Sequence, residues 1–460
     1  MLCPCFHYIP KEIVVNLNIS EQNICLFDLK KQRKRLILKH VRGTFSYAHY
    51  NLSAINMSMK KVLKFDTTLA LAVLFLLIFG LVMITSIGVP KSISLSAPGV
   101  DYPNCSDAGV DCYLLFKKHL FRLFIGIVAF LVAWKLPLKF WKKLAPLLFA
   151  LTLLLLFFVV IFGQSYGTIA AQWLVFFNTS LQPTEFAKLA VILYLAYWFS
   201  KRKSSVESFQ DGFVPFCIIS GLVVVPVILQ NDYGSTMVIS IVCIAMYFMA
   251  GARLKHLAIG FFVALIGALI IILSVSHVRE RFQGFMQVDE ECLEDYCWQS
   301  QQANIAIGSG GFWGKGLTQG VQKSYWLPQA SDDFIFAASA EELGFIRIIF
   351  VVLAYFVISL RGYKIADKAA NSFETYLAIG ITTWIAMQAF VNIAVNTALI
   401  PVTGLTLPFV SYGGSSLVAS LIGVAILLNI SENTTYHANT GNRGGNRRSR
   451  HPQLRRYRRA

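Results

Sequence analysis

The chain has 460 residues, 56% hydrophobic and 14% charged, with a mean hydropathy of +0.58 and a formal net charge of +17. Soluble proteins carry roughly 25% charged residues, so this composition cannot cover a soluble surface. It equally excludes a disordered chain, a collagen-like repeat and a small disulfide scaffold, and leaves an all-α polytopic membrane protein.

In chain order, residues 1–58 come first, a basic extension with a charge run at 30–35 and no signal-peptide pattern. They read as a cytoplasmic arm, disordered near the membrane surface. The alternative is a start-site artefact, because Met59-Lys60-Lys61 has the form of a natural start. The membrane domain, 59–430, then follows. A bilayer core of about 30 Å needs about 20 apolar helical residues. Ten stretches are expected to be transmembrane helices: 66–89, 119–136, 145–163, 183–200, 212–230, 235–251, 257–276, 338–360, 375–396 and 412–430. Lys60, Lys61 and Lys64, then Lys139, Lys142 and Lys143, then 201–203, then Arg253 and Lys255, then Arg361, Lys364 and Lys368 fall on alternate loops. The tail 431–460 adds eight arginines and is expected to be disordered. Positive charge on alternate loops puts both termini in the cytoplasm, where anionic lipids attract the basic ends. That distribution excludes nucleic acid as the main partner.

The opposite side carries 90–118, 164–182, the long 277–337 between helices 7 and 8, and 397–411. Loops as long as 277–337 are usually functional. Oxidising surroundings there allow two short bridges, Cys105–Cys112 and Cys292–Cys297, with free thiols as the alternative. No cysteine–histidine spacing has the form of a zinc site.

Ionisable groups at membrane depth are costly and mark function. Glu185 and Lys188 stand at i,i+3 where the fourth span begins. Either they neutralise each other or the lysine reaches a lipid phosphate. Asp232 can cap the sixth span. The long loop holds Arg281, then Asp289, Glu290, Glu291, Glu294 and Asp295, then a glycine-rich turn at 308–316. Its carboxylates form a solvated acidic stretch or supply a general base and a divalent-metal ligand. The glycines can bring backbone amides close to an anion. Residues 401–416 combine prolines, glycines and hydroxyls at membrane depth, a broken backbone that only protein or water can satisfy.

At 182–188, 230–234, 306–316, 322–336, 341–344 and 404–416 the chain resembles the SEDS family (shape, elongation, division and sporulation), and its FtsW branch more than its RodA branch. The resemblance implies a peptidoglycan glycosyltransferase that polymerises lipid II at the outer face of the bacterial inner membrane and releases undecaprenyl pyrophosphate. For the FtsW branch the site is the division septum. The implied partners are a class B penicillin-binding protein, the growing glycan strand and other divisome proteins. A divalent cation, Mg or Mn, is implied at the pyrophosphate, with no organic cofactor. The family's aspartate before proline is absent. Its segment here runs Asp289 to Gln299 without Asp-Pro, so the base is expected at Glu291, then Asp289, then Asp295. Lys188, Glu185, Arg281, Gln302, Lys323, Asp333, Ser415 and Ser416 are the implied substrate-binding residues, and Asp333 is also a possible metal ligand. The basic residue common before a tryptophan in the family is Gln172 here, beside Trp173. Two other functions compete with polymerisation: a lipid II flippase, and an inactive scaffold that recruits the transpeptidase.

Overall fold

The computed structural model describes residues 65–97, 105–107, 109–164, 172–176, 179–202, 205–286 and 297–445. Of the chain's two compact units, Met1–Leu63 falls outside them and Lys64–Ala460 holds everything described below. The expected extension 1–58, the acids Asp289, Glu291 and Asp295, and Cys292 also lie outside the described residues.

The order is α1 Thr67–Ile87, α2 Val89–Ser96, α3 Leu114–Lys135, α4 Leu138–Phe162, a hairpin of β1 Leu174–Phe176 and β2 Thr179–Leu181, and α5 Pro183–Lys201. A π-helical turn, Phe209–Phe213, then leads into α6 Val214–Leu229. Next come α7 Tyr233–Met249, α8 Leu254–Ser274, α9 Ser276–Met286, α10 Trp298–Gly310, α11 Ile335–Asp367, α12 Ser372–Asn396 and α13 Gly414–Gly445. Among the described residues, seven helical stretches are long and apolar enough to cross a bilayer: α1, α4, Phe209–Leu229, α8, α11, α12 and Gly414–Thr434. The shorter α7 occupies another expected span, as do α3 and α5, which carry Arg122 and the Glu185–Lys188 pair inside them. The long segment 277–337 is not a plain loop, since it contains α9 and α10. The tail expected to be disordered from 431 is helical as far as Gly445.

Caps fix several starts. Asp66 accepts from Leu69 N at 3.0 Å, and Asp232 accepts from Ser235 N at 3.0 Å. Asn371 and Glu374 exchange two bonds, with Glu374 N donating to Asn371 Oδ1 at 3.1 Å and Asn371 Nδ2 to Glu374 Oε1 at 2.8 Å. The spanning windows of α12 and α13 are 78% buried and form the centre of the bundle, whereas that of α8 is 0% buried. The outward apolar side chains of α8, such as Phe261 and Phe262, are what a lipid-facing helix needs.

One junction shapes the loop end of the bundle. The backbone of α11 breaks at Gly344, at φ 77° and ψ 172°. The turn after α10 fits into that break: Lys315 N donates to Glu341 O at 3.0 Å, Gly316 N to Glu342 O at 2.9 Å, and Phe345 N to Gly311 O at 2.9 Å. A Cβ on Gly344 would stand 2.2 Å from Gly314 N, and one on Gly314 would stand 2.3 Å from Glu342 O. Two glycines facing each other are therefore required.

Candidate active site at the loop end of the bundle

Residues 401–413 cross the loop end without regular structure, and their polar backbone is satisfied from α12. Gln388, Asn392 and Asn396 lie at i,i+4,i+8 on one buried face of that helix. Asn392 Nδ2 donates to Leu405 O at 2.6 Å and to Asp333 O at 2.7 Å. Asn396 Nδ2 donates to Asp333 O at 2.9 Å, while its own oxygen accepts from Ala337 N at 2.9 Å. Gln388 Nε2 donates to Thr406 O at 3.1 Å. These amides hold Asp333 and the broken segment in one place.

Around Asp333 the charges converge. Its carboxylate stands against Gly404, with Oδ2 3.7 Å from where a Cβ would be. Lys91 pairs with Asp332 and also donates to Gln329 Oε1 at 2.9 Å. Arg281 Nη1 donates to Val402 O at 3.4 Å. Burial first, and then the charge of Asp332, push the Asp333 carboxyl up to about 7, against the lowering pull of Lys91 and Arg281. Burial also raises the Asp232 carboxyl, against the bond from Ser235 N and the charge of Lys188. Asp333 can therefore carry or give up a proton near neutrality.

The expected site residues divide. Arg281 lies within the electrostatic reach of Asp333. Ser415 joins the rim of this cluster, with Oγ accepting from Gln182 N at 3.0 Å, and Gln182 Nε2 donates to Asp232 Oδ2 at 3.4 Å. Ser416 Oγ belongs to the layer beneath, accepting from Thr406 Oγ1 at 3.0 Å. Lys188 is 1% exposed and paired with Glu185 at 2.7 Å, and it also donates to Gln388 Oε1 at 2.9 Å. The pairing with Glu185 is the arrangement that the i,i+3 spacing allows. Lys323 is likewise spent, on Glu342 Oε1 at 2.7 Å and Ser86 Oγ at 2.9 Å. Gln302 is buried on α10. In the glycine-rich turn the amides of Gly311, Gly314, Lys315 and Gly316 donate to α10 and α11 carbonyls.

Cys105 and Cys112 are joined by a disulfide. Cys297 is also disulfide-bonded, to a partner outside the described residues. Among the described residues no three His, Cys, Asp or Glu side chains converge to hold a metal. Asp333 already faces Lys91 and Arg281, so the described donor set does not by itself fit a divalent cation. Lys91, Gln388, Asn392 and Asn396 are not singled out by the sequence reading. The signal for the three amides was present: polar residues every fourth position inside an apolar span.

A helical bundle whose loop end gathers buried charge around a broken backbone is the architecture of a polytopic membrane protein with a functional site at that end. The FtsW/RodA/SpoVE family model, described as cell cycle protein, matches residues 67–436, and the chain belongs to that family. It is 34% identical over 379 residues to the probable peptidoglycan glycosyltransferase FtsW of Geobacter metallireducens, covering 82% of this chain and 96% of that one. It is 36% identical over 372 residues to the stage V sporulation protein E of Bacillus subtilis, covering 81% and 98%. Among solved structures, a peptidoglycan synthase complex that couples polymerization and crosslinking contains a chain matching at TM-score 0.63 and 24% identity, over 80% of this chain and 98% of that one. The rod shape determining protein RodA of Thermus thermophilus matches at TM-score 0.58 and 23% identity, over 80% and 97%. These two likenesses carry the fold.

Proposed function

We propose that the chain is a peptidoglycan glycosyltransferase of the FtsW type. The observation that carries this is the Asp333–Arg281–Lys91 cluster at one mouth of the bundle, in a chain with FtsW-named relatives at 34% identity. In the proposed reaction an acceptor sugar hydroxyl attacks the anomeric carbon of the lipid-linked strand. The new glycosidic bond forms, the bond from that carbon to the diphosphate breaks, and undecaprenyl pyrophosphate leaves. A carboxylate takes the hydroxyl proton, and Glu291 is the first choice, then Asp289 and Asp295. Asp333, set near neutrality by burial, is a carboxyl of this cluster that can change protonation near pH 7. The divalent cation of this reading, Mg or Mn, would take ligands from the 289–295 acids and neutralise the leaving diphosphate.

The same reading has ten spans, with α3, α5 and α7 completing the set. It places both termini in the cytoplasm and the enzyme at the septum, where lipid II and the growing strand reach the outward mouth. The transpeptidase partner is a class B penicillin-binding protein; a solved complex in which polymerization and crosslinking are coordinated supports it. The test is polymerisation of labelled lipid II by the purified chain with that partner and divalent metal. Glu291→Ala is expected to lower the rate by at least about 100-fold, the usual contribution of a general base. Full activity in Glu291→Ala, Asp289→Ala and Asp295→Ala together overturns the base assignment. Lipid II transport, or partner recruitment without any polymer, would replace the enzyme reading.

A further inference from the structure

We propose that Arg122 binds the diphosphate of the polyprenyl-linked substrate, an assignment that rests on the glycosyl-transfer reading. A diphosphate held away from bulk water needs a cation whose charge is not already used. Among the described residues at this end, the buried or half-buried cations are Lys91, Arg122, Lys188, Arg281 and Lys323. Lys91, Lys188 and Lys323 are paired with Asp332, Glu185 and Glu342. Arg281 donates to Val402 O and stands in the field of Asp333. Neither arginine has a carboxylate at ion-pair distance among the described residues, but Arg281 is engaged by a backbone carbonyl, which leaves Arg122 as the candidate.

Packing sets where its guanidinium stands. A Cβ at Gly414 would fall 2.5 Å from Arg122 Cδ and 2.8 Å from Nε. Glycine at that position therefore lets the arginine lie across the first turn of α13. The guanidinium carbon is 4.7 Å from the centre of the Tyr412 ring, a contact that orients the side chain without neutralising it. Tyr412 N donates to Ser331 O at 3.0 Å, which ties this wall to the residue beside Asp332. The first-turn amides of α13 lack intrahelical acceptors and add a positive helix end at the same place. One turn earlier on α3, His119 is 1% exposed with its ring 6.0 Å from that of Tyr412, and its Nδ1 has no hydrogen-bond partner among the described residues. Arg122 and the helix end thus leave donor capacity on one wall of the cluster, and a planar guanidinium matches two phosphate oxygens at once. The resemblance offers Lys188 and Lys323 for this work; in the structure both are paired with carboxylates.

The test uses the full chain in detergent micelles, titrated with farnesyl diphosphate, farnesyl monophosphate or dioleoylphosphatidylglycerol. The wild type is expected to prefer the diphosphate by tenfold or more over the other two. Arg122→Gln should weaken diphosphate binding at least tenfold, about 1.4 kcal/mol, and the loss should appear as a raised KM for lipid II. Arg122→Lys should recover part of the affinity, and it carries the test if the glutamine variant fails to fold. Unchanged diphosphate affinity in Arg122→Gln overturns the assignment. So does a wild type that binds phosphatidylglycerol equally well, which would make Arg122 an ordinary headgroup anchor. No polymer from the wild type, with diphosphate binding intact, sinks the glycosyl-transfer reading and leaves the anion site standing.

Discussion

At the scale of single residues, burial decides which charges can act. Asp333 binds its proton up to about pH 7 in the fold, but only to about 3.9 in an unfolded chain. Between those values the folded state holds more protons, so stability falls as pH rises from about 4 to about 7. Asp333→Asn should remove that slope and raise the melting temperature at pH 8 relative to the wild type; an unchanged slope in detergent would show that Asp333 titrates normally. Lys323 and Glu342 make the opposite point, being held together with the Ser86 hydroxyl and Thr318 N. Lys323→Met leaves a buried carboxylate uncompensated and should cost about 3–5 kcal/mol. Lys323→Met with Glu342→Met should recover part of that loss in the same thermal unfolding measurement. The identities of these groups were legible in the sequence; their partners were not. Glu342 lies 256 positions from Ser86, and nothing local predicts that they touch.

At the scale of elements, the glycine-rich turn and the break in α11 form one joint. Gly344→Ala drives a Cβ into Gly314 N and forces a left-handed backbone, so a loss above about 1 kcal/mol is expected. Faster proteolysis at 311–316 would accompany it. Gly308→Ala meets nothing within contact distance and is the matched control, expected to melt as the wild type does. The sequence marks the glycines but not their use, because an anion cradle and a backbone socket ask for the same residue type. The amide face of α12 shows a second limit. Its period was visible at 388, 392 and 396, but the carbonyls that those side chains satisfy belong to irregular segments at 333 and 403–406 that no periodicity reveals.

At the scale of the whole molecule, long apolar runs carried most of the architecture. Each of the ten expected stretches coincides with a helix, to within a few residues at most ends. What the runs left open is which of the charged or shorter helices cross the bilayer. A reporter active only outside the cytoplasm, fused after Met286, should be active, and one fused after Lys201 or Asp367 should be silent. Activity after Lys201 would remove α3 or α5 from the set of spans. The extended 277–337 segment hid α9 and α10 because neither is apolar enough to announce itself. A last consequence concerns biogenesis. Asp333 and Arg281 are translated well before residues 403–416, yet those residues supply the Gly404 wall, the Tyr412 link and the start of α13. A nascent chain paused ahead of that stretch already owns its acids and has no chamber to hold them. Completion of translation is therefore expected to precede assembly of this site, and a chain truncated ahead of residue 403 should lack it.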